Sequence, residues 1–73
     1  MNMRQLREKA NLRTVDVAST LKIGESTVRA WEKGKTTPSF EVIKPLITLY
    51  GVSFEDLYEA VMQSRQQTKG EPI

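Results

Sequence analysis

The sequence predicts a compact all-α domain of five short helices, and three observations carry that prediction. Apolar residues recur at three- and four-residue spacing in five separate segments, while no segment alternates as a half-buried strand would. Each apolar segment is bracketed by residues that start or stop helices. The connections between brackets are short, roughly two to six residues, which suits neighbouring helices around one core. Seventy-three residues make one domain, near the size at which a single core is only marginally stabilising.

The elements follow in order. Met3, Leu6 and Ala10 share one face of a first helix in "MRQLREKA", with Asn2 placed to cap it and an end expected near Asn11. In "TVDVASTLKI", Thr14 is expected as the cap, Asp16 lies in the first turn where negative charge is favoured, and Val17, Ala18 and Leu21 line one face. Ile23 and Gly24 interrupt this helix, and Gly24 opens a third through "ESTVRAWEK" that Gly34 stops. After "TTPS", Ser39 is expected to cap "FEVIKPLITLY", which Gly51 ends.

Pro45 falls inside this fourth segment, where it removes one hydrogen bond and crowds the carbonyl four residues back. Either the helix is kinked or loosened in its first turn, or its regular part begins near Lys44. The first reading is preferred, because Phe40, Ile43, Ile47 and Tyr50 keep helical spacing. Ser53 and Asp56 make a capping-box start to the fifth helix, "FEDLYEAVMQS". The domain is expected to occupy residues 1–64, with "RQQTKGEPI", residues 65–73, as a polar, flexible tail.

Composition narrows the function classes. The hydrophobic fraction of 38% and charged fraction of 27% describe a soluble globular chain. Without Cys or His, disulfides, thiol chemistry and the usual metal ligands are excluded, so no metal or cofactor is expected. The Ser, Thr and carboxylate residues form no catalytic constellation, and a chain this small encloses no deep cavity, so an enzyme is not expected. The longest apolar run is far short of the roughly 20 residues that a membrane span needs, and the N-terminus has no apolar signal-peptide region. The expected location is cytoplasmic, with no membrane partner.

Net charge is only +2, but it is unevenly spread: residues 1–37 carry eight Lys/Arg against four acids, and residues 38–73 carry three against five. The basic half is where a polyanion would bind. Within it lies "STVRAWEKGKTTPS", which sets the only Trp beside the most basic loop. At about 100° per residue, Gly24, Val28 and Trp31 share one face of the third helix. Ser26, Arg29, Ala30 and Lys33 share the other, with Glu25 at the edge. That outer face is short, polar and cationic, which would let the backbone approach a groove closely. Ala18, ten residues before Val28, permits a close crossing through a tight turn, with Val17, Leu21 and Ile23 filling the apolar positions. Val28 and Trp31 then lock the third helix against the second, as in a helix-turn-helix.

On these residues the sequence resembles the Cro/C1-type helix-turn-helix family, the DNA-binding domains of lambdoid phage repressors and many small bacterial regulators. The resemblance runs from Leu6 to Leu57 and is most specific in "STVRAWEKGKTTPS" and "LYGVSFEDL". It implies a five-helix, lambda-repressor-like fold whose third helix, about Glu25–Lys33, enters the major groove of double-stranded DNA. Glu25, Ser26, Arg29 and Ala30 would then face base edges: Arg29 as a bidentate donor to guanine, Glu25 as an acceptor from cytosine, Ala30 against a thymine methyl. Glu25 also suits the helix dipole whatever it does to DNA. Arg13 and Thr14 would contact phosphate at the start of the second helix, although they replace the family's typical Ser and Gln. Lys33, Lys35, Thr36 and Thr37 match the loop that grips the backbone. Arg7 and Glu32 match a structural Arg–Glu pair rather than DNA contacts.

Lys22 stands where the family usually has Gly, so a left-handed backbone there would cost of order 1 kcal/mol, and an altered turn is the alternative. The resemblance also implies a homodimer on an inverted-repeat operator, acting as a transcriptional regulator such as a repressor. Tyr58 and Met62 on the last helix are the interface candidates, whereas Leu57 and Val61 serve either the interface or the core. An appended ligand-binding or protease domain is not expected. A protein-interaction module such as an antitoxin or adaptor, with an unknown protein partner, is the alternative from another class.

Overall fold

The computed structural model describes residues 1–68, and among these the chain is all-helical, with five α-helices and no strand. They are α1 (Met3–Lys9), α2 (Thr14–Leu21), α3 (Glu25–Glu32), α4 (Phe40–Tyr50) and α5 (Phe54–Thr68). The fold class read from periodicity is the one found.

Four helices hand over to their loops in the same way. The residues Asn11, Lys22, Gly34 and Gly51, which follow α1 to α4, have left-handed backbones with φ of 66°, 59°, 77° and 68°. After α1, the N–H groups of Asn11 and Leu12 fold back to the carbonyls of Glu8 and Arg7 at 2.9 and 3.1 Å. The same two-bond pattern recurs after α2, from Lys22 to Ser19 and Ile23 to Ala18, and after α3, from Gly34 to Trp31 and Lys35 to Ala30. These bonds satisfy carbonyls that a helix end leaves open. Glycine reaches this conformation freely, but a lysine pays about 1 kcal/mol. The tight turn between α2 and α3 is therefore kept, and Lys22 carries its strain. The first helix is shorter than expected, since α1 ends at Lys9 and the chain has already left it at Asn11.

The helix starts are held by side chains. Asn2 Oδ1 accepts the Gln5 N–H at 2.9 Å while Gln5 Oε1 accepts the Asn2 N–H at 2.8 Å. Ser53 Oγ likewise accepts the Asp56 N–H at 3.1 Å. At α2 the arrangement differs from expectation: Thr14 is the first helical residue rather than the cap, and Arg13 holds the cap position. A guanidinium has no acceptor, so the start is secured from Asp16, whose carboxylate accepts the Arg13 N–H at 2.8 Å and meets its guanidinium at 3.2 Å. The side-chain bond from Arg13, then the backbone bond, holds the Asp16 carboxyl below its ordinary range. The Thr14 hydroxyl is left free for another partner.

Met3, Leu6, Val17, Ala18, Val28, Trp31, Leu46, Tyr50, Leu57 and Ala60 form one buried core, and Leu21 and Ile23 pack partly against it. Ala18 is small enough to bring α2 and α3 together. In α4 the buried stripe runs through Leu46 and Tyr50, and Phe40 is 92% exposed. Phe40 does not share the inner face as its spacing suggested: six positions from Leu46 put it about 120° around the helix. The helix runs unbroken through Pro45. Pro45 and Glu41, whose carbonyl loses its helical donor, are both exposed, so water can serve that group.

The fifth helix continues past the expected end at Ser64 to Thr68. Ser64 is fully buried, and its hydroxyl accepts the Met3 N–H at 3.0 Å, tying the start of α1 to α5. The expected polar tail thus begins inside α5, and residues 69–73 lie outside the described residues.

Candidate nucleic-acid interface

The third helix is anchored from within by apolar burial and by one ion pair. Val28 and Trp31 are 0% and 4% exposed. Next to Trp31, Glu32 meets Arg7 of α1 in a bidentate pair, Nε to Oε2 at 2.6 Å and Nη2 to Oε1 at 3.1 Å. The third donor direction is used too, since Arg7 Nη1 reaches the Leu12 carbonyl at 3.0 Å. With side-chain exposures of 13% and 11%, the pair fastens α1, the first connection and the end of α3 together. The bond from Glu32 outweighs burial and raises the Arg7 pKa further. The nearby Tyr50 hydroxyl is buried with no hydrogen-bond partner among the described residues. Burial first, then the charge of Glu32, pushes its pKa up to about 12, with Arg7 opposing.

The opposite face of α3 is open. Ser26, Arg29 and Lys33 are exposed there, Glu25 and Ala30 are half-buried, and Thr27, also exposed, lies toward the Trp31 side. Three of the residues singled out from sequence meet at one point, where the Glu25 carboxylate accepts the Thr14 hydroxyl at 2.8 Å and pairs with Arg29 at 3.1 Å. Arg13 is not part of that meeting, because its exposed guanidinium turns to Asp16.

Two depressions flank this face. One, a cleft of about 510 Å³, is lined by Arg4, Arg7, Arg29 and Lys33 with the acids Glu8 and Glu32, and by Gln5 and Thr14. The other is lined by Ser26, Thr27, Thr36, Thr37 and Ser39 together with the apolar residues Ile23, Ala30, Trp31 and Val42. The loop bearing Lys33, Lys35, Thr36 and Thr37 is exposed, and it is held against the end of α3 by the Lys35 N–H on the Ala30 carbonyl at 2.9 Å. Its Pro38 is buried. Charged side chains, mostly basic, thus line one side of this face, and hydroxyl-bearing and apolar residues line the other.

A family model described as a helix-turn-helix domain matches residues 2–61. The chain belongs to the helix-turn-helix domain family. It is 35% identical over 68 residues to the HTH-type transcriptional regulator DdrOP3 of Deinococcus deserti, covering 93% of this chain and 53% of that protein. It is 34% identical over 55 residues to the cryptic phage CTXphi transcriptional repressor RstR of Vibrio cholerae, covering 75% of this chain and 50% of the relative. The chain thus spans about half the length of the curated relatives it matches. No solved structure matches it significantly.

The helix-turn-helix motif is α2, the Lys22–Gly24 turn and α3. Sequence reasoning missed two members of the surrounding surface. Thr27 lies beside Ser26 in the second depression, and Arg4 lies with Arg29 and Lys33 along the cleft. Arg4 was legible as the exposed residue three before Arg7, one helical turn along the same side; Thr27 had no such marker. Tyr58 and Met62, 57% and 39% exposed, line a separate apolar groove with Ile43, Phe54 and Val61. The Phe54 and Tyr58 rings lie 6.4 Å apart there. Leu57 is buried in the core and Val61 packs partly against it. No described helix is long and apolar enough to cross a membrane.

Proposed function

We propose that this helix-turn-helix protein is a Cro/C1-type transcriptional regulator that binds double-stranded DNA with α3 in the major groove. The observation that carries the reading is the two-sidedness of α3: Val28 and Trp31 fix it to the core while Ser26, Arg29 and Lys33 stand exposed along its other side. A helix so fixed presents base-reading side chains without an ordering cost at each encounter. Ser26, Arg29 and Ala30 face the base edges, with Arg29 the strongest discriminator through paired bonds to guanine O6 and N7. Lys33, Lys35, Thr36 and Thr37 hold the sugar–phosphate backbone, joined at the start of α2 by the Thr14 backbone N–H and by Arg13 when it exchanges Asp16 for phosphate. The names of both relatives, a transcriptional regulator and a transcriptional repressor, support a regulatory role, with repression the favoured direction.

One domain of this size covers a single half-site, so binding is by a homodimer on an inverted repeat, with the two α3 helices about 34 Å apart. Tyr58, Met62 and Phe54 supply the surplus apolar surface for that contact. Salt dependence tests the reading directly. Binding to duplex DNA should weaken steeply with salt, and replacing both Lys33 and Lys35 with Ala should reduce the slope by about two while weakening all sequences alike. Salt-independent binding, or none, would reject the assignment.

A further inference from the structure

The outer face of α3 carries an acid where a polyanion is to be read. Glu25 is the first residue of α3, a position at which the helix dipole favours a carboxylate. Its Oε2 is shared: the Thr14 hydroxyl donates to it at 2.8 Å, and Arg29 Nη2 lies 3.1 Å away. Glu ahead of Arg at four-residue spacing is the favourable order on a helix, and the hydroxyl adds a charge-assisted bond that keeps the carboxylate aimed. Among the described residues, Lys33 and Lys35 have no ion-pair partner, so of the cations on α3 and the loop that follows it, Arg29 is the one held by an acid. With 37% of Glu25 and 53% of Arg29 exposed, the pair stays in contact with water and can exchange.

We propose that Glu25 is a specificity-determining restraint on Arg29, holding its guanidinium along α3 until a base edge replaces the bond. This rests on the reading of α3 as the DNA-reading helix. A duplex offers phosphate at every step, and an unrestrained guanidinium gains from any of them through counterion release. Guanine offers two acceptors in one plane, which replace the carboxylate with a bidentate pair. A phosphate contact by Arg29 must instead displace the ion pair while Glu25 and the backbone repel each other. Glu25 therefore lowers affinity for every duplex, and lowers it most where no guanine faces Arg29. Thr14 is the positioning residue that keeps the carboxylate in place.

Glu25→Gln preserves side-chain length and an acceptor for Thr14 but removes the charge. Wild-type protein, Glu25→Gln, Arg29→Gln and the double variant are titrated over a salt series against a random-sequence duplex and against the duplex the wild-type protein selects from a random pool. Glu25→Gln should bind the random duplex about five- to tenfold more tightly, with a salt slope steeper by about one. On the selected duplex the gain should stay below about threefold, and in the Arg29→Gln background it should fall to about twofold on either. An equal gain with and without Arg29 would mean general charge repulsion and overturn the restraint. A loss confined to one base pair of the selected duplex, without a gain on random DNA, would make Glu25 a base reader and overturn it as well. Wild-type binding with no response to Glu25→Gln removes this proposal alone, whereas failure of the wild-type protein to bind any duplex removes the DNA reading and this proposal with it.

Discussion

Two Arg–Glu pairs of the same chemistry meet α3 at its two ends, Glu25 at the first residue and Glu32 at the last, and do opposite work. Arg7 and Glu32 are 25 residues apart in sequence, bidentate, and 13% and 11% exposed. Arg29 and Glu25 are one turn apart, make a single contact at 3.1 Å, and are 53% and 37% exposed. Burial decides the difference. In the first pair water cannot compensate a lost partner, so the pair behaves as a fastener. In the second, solvent screening leaves little net stability, and the groups remain available for exchange with a ligand.

The largest effect follows from breaking the buried pair. Glu32→Ala should cost about 2 to 3 kcal/mol of stability by stranding Arg7, read as a lowered denaturant midpoint; a midpoint close to wild type would put the two pairs on equal footing. The exposed pair should show the reverse. Arg29→Ala should cost about 1 to 3 kcal/mol of binding to the selected duplex, while thermal unfolding shifts by less than about 0.5 kcal/mol. Calorimetry and titration of the same preparation separate the two.

The strained turn at Lys22 leads from α2 into α3. Lys22→Gly should stabilise by up to about 1 kcal/mol, as removal of left-handed strain exceeds the added freedom of the unfolded chain, and DNA binding should be unchanged. A destabilised variant would show that the Lys22 side chain contributes more than its backbone costs.

The smallest effect at neutral pH is at Tyr50, whose unpartnered hydroxyl lies near the fastener. Tyr50→Phe should change stability little at pH 7, since no hydrogen bond is lost. At alkaline pH the sign is set by linkage. The folded-state pKa of about 12 lies above the ordinary 10.0, so the unfolded chain releases its proton first and the wild-type protein loses stability between about pH 10 and 12. The Phe variant lacks that contribution, and its advantage over wild type should grow across the same interval. Chemical denaturation of both proteins at pH 9 and pH 11.5 measures this.

Much of the fold was legible because local chemistry and tertiary packing agree. Asn2, Ser53 with Asp56, Gly34 and Gly51 mark helix ends that the chain uses, and the 3.6-residue period of Val28 and Trp31 gave the inner face of α3. Where packing overrides local pattern the reading failed. Phe40 keeps helical spacing with Ile43 and Ile47 yet is exposed, because the core meets α4 along Leu46 and Tyr50. The last helix runs on to Thr68, and its buried Ser64 bonds to Met3, a contact across 61 residues that no local pattern announces. On the candidate interface, the outer residues of α3 follow from periodicity alone. The link from Thr14 to Glu25 does not: it depends on the α2–α3 crossing and spans 11 residues. A threonine at a helix start reads as a cap, and only the structure frees its hydroxyl for Glu25.

The most direct test of the difference between the two sides of α3 is selection of duplexes from a random pool by wild-type protein and by Arg29→Ala in parallel. The wild-type protein should enrich an inverted repeat with half-site centres about 10 to 10.5 base pairs apart. The variant should enrich the same repeat with preference lost at one position in each half-site. Identical consensus sequences from both proteins, or no enrichment by the wild type, would contradict the assignment of the exposed face of α3 to DNA.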